Sequence, residues 1–239
     1  SSAHVTFANA QDMATLEAAG YLHRIDQQFH FFNEGFSAYE DFLATLASRK
    51  RKALKKERRE AVAHGITIER LTGKAIAERA WDDFYAFYMD TGSRKWGRPY
   101  LNRAFFELLG QRMADRCVLF VAEEMDGTPI ASALNLIGGE ALYGRYWGRI
   151  VDAPFLHFEL CYYQAIDLAI ELKLPRVEAG AQGEHKLARG YMPVQTFSAH
   201  WIEHEGLRNA VKHYLRQETP AVVEEAEILA EHAPFKRTD

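Results

Sequence analysis

The chain has 239 residues, of which 48% are hydrophobic, 26% charged and 13% aromatic. This composition excludes a disordered or fibrous protein and supplies ample material for one full domain with a piece of another. Net charge is −4, yet residues 49 to 59 hold eight basic side chains against Glu57, a local +7 on an otherwise acidic chain; such a run suits a phosphate-bearing partner or, equally, a solvated helix face.

Residues 1 to 10 lack the basic and apolar regions of a secretory signal, and no window nears the ~18 apolar residues that a membrane span requires. A cytoplasmic location is the expectation. Cys117 and Cys161 fall on a predicted strand and a predicted helix. Neither shows metal-ligand spacing, so each reads as a buried, reduced thiol.

In chain order, residues 4 to 8 and 21 to 32 read as strands separated by a short helix from Asp12 to Ala19, which Gly20 ends. They read as the tail of a first domain or as an N-terminal subdomain over 1–35. Ser37 with Glu40 three residues on reads as a capping box, and Phe42, Leu43 and Leu46 give that helix an apolar face. Ser48 reads as the cap of a second helix carrying the basic run to Gly65, so 36–65 is a basic helical arm.

Residues 66 to 71 alternate as a strand, and Ile76 to Met89 and Asn102 to Met113 read as helices, the second capped by Asn102. Between them Arg94, Lys95, Trp96 and Arg98 form a basic loop, either a lid or a plain surface loop. Val118 to Met125, Pro129 to Ile137 and Ala141 to Gly148 form an antiparallel meander through Asp126-Gly127 and Gly138-Gly139. Leu156 to Lys173 is a strong amphipathic helix, followed by a strand at Arg176 to Ala179, a polar loop from Gly180 to Gly190, and a strand from Val194 to Glu203. The region 66–205 is thus one α+β domain, and 206–239 is a helical segment that Pro220 interrupts or ends.

The strand order and the stretches SRKRKALKKERREAVAHGITIERL, RKWGRPYLNRAFFELL, ASALNLIGGEALYGRYWG, PFLHFELCYYQAIDLAIELKL and RVEAGAQGEHKLARGYMPV resemble the Fem-like family of predicted N-acyltransferases, often described as peptidoglycan biosynthesis or recognition proteins. The resemblance covers almost the whole chain and is most specific around Gly180 to Pro193. It implies a GNAT fold, mixed and mostly antiparallel, with a basic arm and the tail of a second GNAT-like domain. Ordinary GNAT enzymes hold coenzyme A on a Gly-rich loop before the central helix. Here Gly148 to His157 carries one Gly and a Pro, which sets coenzyme A binding in question; the donor is acyl-CoA or, as the resemblance implies, an aminoacyl-tRNA that Arg49 to Arg59 could hold.

Acyl transfer to an amine needs a base, a stabilised oxyanion and a protonated leaving group. Glu178, Glu184, His185, Lys186 and Arg189 gather in the Gly-rich loop that follows a strand, where open sheets place ligands. Glu178 is a candidate base, His185 a base or proton shuttle, and Lys186 and Arg189 candidate anion holders; a solvated, self-paired loop is the bland alternative. Strict alternation sets Tyr143, Arg145 and Trp147 on one strand face and Tyr146 on the other, as a sugar or peptide platform or as packing beneath the helix. His157 and Glu159 start the central helix, where they could meet a donor or serve its dipole. Trp96 is a further candidate contact. His200, His204, His213 and His232 show no metal spacing. An N-acyltransferase acting on a peptidoglycan-like or amino-sugar acceptor, a recognition module without chemistry, and an acetyl-CoA enzyme remain the readings.

Overall fold

The computed structural model describes residues 1–94 and 99–236. It contains eight strands and eight helices among the described residues, divided into two compact units. Residues 1–30 and 181–233 form the first, and 31–180 with 234–239 the second.

In the first unit β8 (Met192–Ile202) is flanked on both edges by antiparallel strands from the other end of the chain. It pairs with β1 (Ser2–Thr6) from Ser2↔Ile202 to Thr6↔Ser198, and with β2 (Leu22–Phe32) from Leu22↔His200 to His30↔Met192. Helix α1 (Ala10–Ala18) joins β1 to β2, its N-terminus capped by Asn9, whose side chain accepts from the Asp12 amide at 2.8 Å. The strands foreseen over residues 1–35 therefore share a unit with the closing strand. Helix α8 (Glu205–Glu231) packs on β8 and runs unbroken through Pro220. The expected stop fails there because an exposed Pro removes one helical N–H without removing the packing that holds the rest. Arg24 on β2 clamps Glu218 on α8 through two 2.8 Å hydrogen bonds.

The second unit is an antiparallel run of β3 (Thr67–Thr72), β4 (Cys117–Glu123), β5 (Pro129–Ile137) and β6 (Ala141–Arg149), with β7 (Arg176–Glu178) added in parallel to β6. The meander is as foreseen. On one face lie α4 (Glu78–Ser93) and α5 (Arg103–Met113). Trp81, Phe84 and Tyr88 recur at helical spacing along α4 and close with Phe106, Leu119 and Leu134 into one apolar cluster. Each such aromatic, fully buried, stabilises by about 1.5–3 kcal/mol. Asn102 caps α5 through the Phe105 amide at 3.0 Å, as its sequence foretells.

On the other face sits the central helix, 156–171, built from α6 (Leu156–Phe158), a π turn (Glu159–Tyr163) and α7 (Gln164–Glu171). Leu160, Tyr163, Ile166 and Ala169 are buried, as are Leu142 and Val177 of the strands that contact the helix.

The arm is two helices, α2 (Tyr39–Thr45) and α3 (Ser48–Ala61), broken at Leu46-Ala47. The capping carboxylate of α2 is Asp41, not Glu40: its Oδ2 accepts from the Ser37 and Ala38 amides at 2.9 and 3.0 Å. Ser48 is likewise the first helical residue of α3 and not its side-chain cap, since Ala47 holds that place. Cys117 is buried and Cys161, in the π turn, is only partly so, which corrects the expectation of two buried thiols.

Candidate functional site

The site in the second unit starts from a pairing that ends early. β6 and β7 run parallel for three pairs, Ala141↔Arg176, Leu142↔Val177 and Tyr143↔Glu178, and there β7 stops while β6 continues six residues to Arg149. At the same point the register with β5 slips, from Leu134↔Tyr146 to Asn135↔Gly144, leaving Arg145 as the extra residue of a β-bulge.

The bulge overturns the strict alternation expected for this strand. Cross-strand partners share a face. Tyr143 opposite Leu136 and Tyr146 opposite Leu134 therefore lie together on the α4 side, while Trp147, opposite Ala133, lies on the side of the central helix. Tyr146 meets Tyr88 of α4 at 5.3 Å. Trp147 stacks on His157, ring centroids 4.6 Å apart and planes 23° off parallel, with Tyr162 next at 5.5 Å from the imidazole. Arg145 is exposed, its guanidinium 5.4 Å from the Tyr146 ring centre.

Glu178 shares the face of Tyr143, its strand partner, and is held there by Arg176, whose Nε donates to Oε1 at 2.9 Å. Arg176 also reaches Glu140 at 3.5 Å. These acidic neighbours, Glu178 foremost, raise the guanidinium above its ordinary value.

Glu159 lies in a buried ionic network. It is 2% exposed, and Arg58 of α3 donates to both its oxygens at 2.8 and 3.1 Å while Gln164 donates at 2.8 Å. A buried carboxylate needs such partners. Arg58 also clasps Asp167 at 2.7 and 3.3 Å and lies over the ring of Tyr39, 4.5 Å from its centre. Burial pushes the Tyr39 phenol above its ordinary value, against the pull of the Arg58 charge. Tyr163 donates to Glu57 beside this network. Leu54, Arg58 and Ala61 thus face the central helix, and Arg49, Lys50, Lys52, Lys55, Lys56 and Arg59 are exposed. The basic run is one docked residue and one cationic face.

In the first unit the loop leading to β8 forms a 3-10 turn, Glu184–Arg189. Glu184 and His185 are exposed, whereas Lys186 and Arg189 are only 4% and 5% exposed. The two cations are therefore buried and not solvated. Lys186 Nζ sits 5.7 Å from the Phe29 ring centre and Arg189 Nη1 donates to the His185 carbonyl at 2.6 Å. Desolvation, then the charges of Arg189 and Lys186, hold His185 below the ordinary histidine value. Gly183, at φ +102, lets the imidazole fold back: a Cβ there would stand 2.3 Å from the ring.

The structure brings Trp147 to His157 and Tyr143 to Glu178 in one unit, and His185, Lys186 and Arg189 together in the other. Glu159 is held by Arg58 and Gln164. Trp96, with Lys95 and Arg98, lies outside the described residues; Arg94 beside them donates to the Arg149 carbonyl at 2.6 Å and pairs with Asp90. His200 faces His4 at 2.8 Å, His204 caps α8 and His232 bonds the Ile228 carbonyl. Sequence reasoning missed Asp167 and the Arg58 clasp, for which no spacing signal exists, and Asn135, fully buried opposite Gly144, for which a lone Gly inside a strand was the available sign.

A family model described as FemAB-like, peptidoglycan biosynthesis and recognition, matches residues 1–237. No curated protein matches the chain by sequence. Among solved structures it is similar to L-PGS from Bacillus licheniformis, at TM-score 0.63 and 12% identity over 98% of this chain and 73% of that one. FemX is similar at TM-score 0.59 and 12% identity, over 88% and 74% of the two chains. At such identities the likeness is one of fold.

Proposed function

We propose, from the premise that this chain belongs to the FemAB-like family of peptidoglycan biosynthesis and recognition proteins, that it transfers an aminoacyl group from a tRNA ester to an amine of a peptidoglycan precursor or related acceptor. The observation that carries this reading is the early end of the β6–β7 pairing beside the Arg145 bulge. Strands that part expose backbone amides, and a bulge re-aims them, which is how such a strand can hold an oxyanion. In the reaction the acceptor nitrogen attacks the ester carbonyl, the N–C bond forms as the C–O bond breaks, and the amine proton passes to a base while the leaving hydroxyl is protonated.

Glu178, at the mouth of that opening, is our candidate base; His185, in the other unit, is its rival for that role. Trp147 and His157 offer a stacking surface on the other face, and Tyr143 and Arg145 complete the substrate contacts on β6. Lys186 and Arg189, with Glu184, are assigned to shaping the loop that carries His185.

Aminoacyl-tRNA is preferred over acyl-CoA because the single glycine of the 148–157 stretch is already committed to packing. A Cβ on Gly148 would stand 2.2 Å from the Phe87 carbonyl oxygen, so its bareness serves the approach of α4. The exposed face of α3 supplies cations for the tRNA backbone. Among the described residues no helix is long and apolar enough to cross a membrane, and we place the reaction in the cytoplasm, where charged tRNA is made. A second reading, recognition without chemistry, is favoured by the Arg176 contact that already occupies Glu178.

The purified chain, incubated with charged tRNA and a precursor bearing a free amine, should transfer the amino acid, and Glu178→Gln should lower turnover by about 10²–10⁴ without loss of tRNA binding. Binding of both substrates with no transfer would favour the recognition reading; micromolar acetyl-CoA binding would restore the acetyltransferase one.

A further inference from the structure

In the first unit β1 is lightly held. It spans five residues, four of them exposed, and among the described residues it pairs with β8 alone. Its one large aliphatic side chain, Val5, is 37% exposed, so little apolar burial fastens the strand. What β1 does offer is His4, which stands opposite His200 of β8 in the register. The two Nδ1 atoms lie 2.8 Å apart, with ring centroids at 5.0 Å. Each outer nitrogen meets a serine: His4 Nε2 lies 3.0 Å from Ser2 Oγ, and His200 Nε2 lies 2.9 Å from Ser198 Oγ. Ser2, His4, His200 and Ser198 thus form one chain of hydrogen bonds across the two strands.

What that chain can do depends on how many protons it holds. With one N–H per ring, one Nδ1–H donates to the other Nδ1, and the serine hydroxyls turn to suit the outer nitrogens. A first added proton is accommodated, because both Nε2–H groups then donate to serine and a single N–H still bridges the Nδ1 pair. A second is not: both Nδ1 atoms would carry hydrogen at 2.8 Å, which replaces the hydrogen bond with a clash between like charges. We infer that the His4–His200 pair is an acid-operated latch, whose second proton releases β1 from β8 and opens the β8 edge. The charges around it set where it acts. Arg24, opposite Ser198 on β2, is bound to Asp26 and to Glu218 of α8, and Tyr214 of α8 donates to the same Glu218. Burial, then the charges of His4 and Arg24, hold His200 below the ordinary 6.5 against the opposing pull of Glu218. A histidine so depressed favours the paired state fully above pH 6.5 and loses that contribution as pH falls beneath it. The latch stands apart from the transferase reading and holds or fails without it.

The test is hydrogen exchange of the full chain, read by mass spectrometry at about pH 7.5 and about pH 5 and corrected for the intrinsic pH dependence of amide exchange. Protection of the β1 amides should fall at least about tenfold at the lower pH while β4 and β5 keep theirs. His200→Asn and His4→Asn should each flatten that difference, since neither leaves a pair to hold two charges. His4 is exposed, so its variant decides the question even if His200→Asn fails to fold. Protection of β1 that does not change with pH, a fall that both variants retain, or a fall shared equally by β4 and β5 would each overturn the inference.

Discussion

Arg58 Nη2 lies 2.8 Å from Glu159 Oε1, and through that contact the basic helix is fastened to the central helix at its π turn. The guanidinium is three-quarters shielded and the carboxylate almost wholly so, so the pair is costly to break from one side. Arg58→Ala is expected to destabilise the chain by about 3–5 kcal/mol in urea unfolding, because it strands Glu159 and Asp167 together. Arg59→Ala, one residue on and exposed, should cost at most about 0.5 kcal/mol. Equal effects would show that α3 is held by general packing and not by this clasp.

Gly148 tests the approach of α4. The missing side chain lets the Phe87 backbone lie against β6, and a methyl group would need space that main-chain atoms occupy. Gly148→Ala should therefore cost more than about 2 kcal/mol, whereas Gly144→Ala, whose Cβ would find its nearest neighbours at 3.6 Å, should be tolerated. Thermal unfolding of the two variants separates them.

Local chemistry made much of this fold legible. Asn102 before an apolar run, Asp126-Gly127 between alternating strands, and the spacing of Trp81, Phe84 and Tyr88 each express a rule that acts within one turn or hairpin, and each element lies where its residues place it. What stayed hidden depends on partners far along the chain. No periodicity tells that Lys186 and Arg189 are buried, since the ring that meets Lys186 belongs to Phe29. The choice of Asp41 over Glu40 as cap turns on one residue of helix phase. At the candidate site, Tyr143 and Trp147 could be named by residue type, but their faces could not be read, because one inserted residue reverses the alternation and only Gly144 hints at it.

The exposed face of α3 should behave as a phosphate-backbone tracker. If Lys52, Lys56 and Arg59 each neutralise one phosphate, their combined replacement by alanine should reduce the slope of log K against log salt for tRNA by about two to three units, with little change in stability. Tm and the salt series measured on the same protein distinguish this from unfolding. A slope that stays the same would reduce the stripe to a solvated helix face.

His185 carries a pH signature with a determined sign. Its folded value lies below the ordinary 6.5, because the imidazolium is desolvated and faces Arg189 and Lys186. The unfolded chain therefore takes up this proton first as pH falls, so His185 favours the fold fully above pH 6.5 and progressively less as pH drops through the window beneath it. If the imidazole is also the base, transfer should rise with pH through that same depressed window and be level by neutrality. His185→Gln separates the two roles. Loss of the pH dependence of stability with transfer intact assigns the residue to the loop alone, while loss of the acid limb of the rate profile, with stability preserved at neutral pH, assigns it to proton transfer and displaces Glu178 from that role.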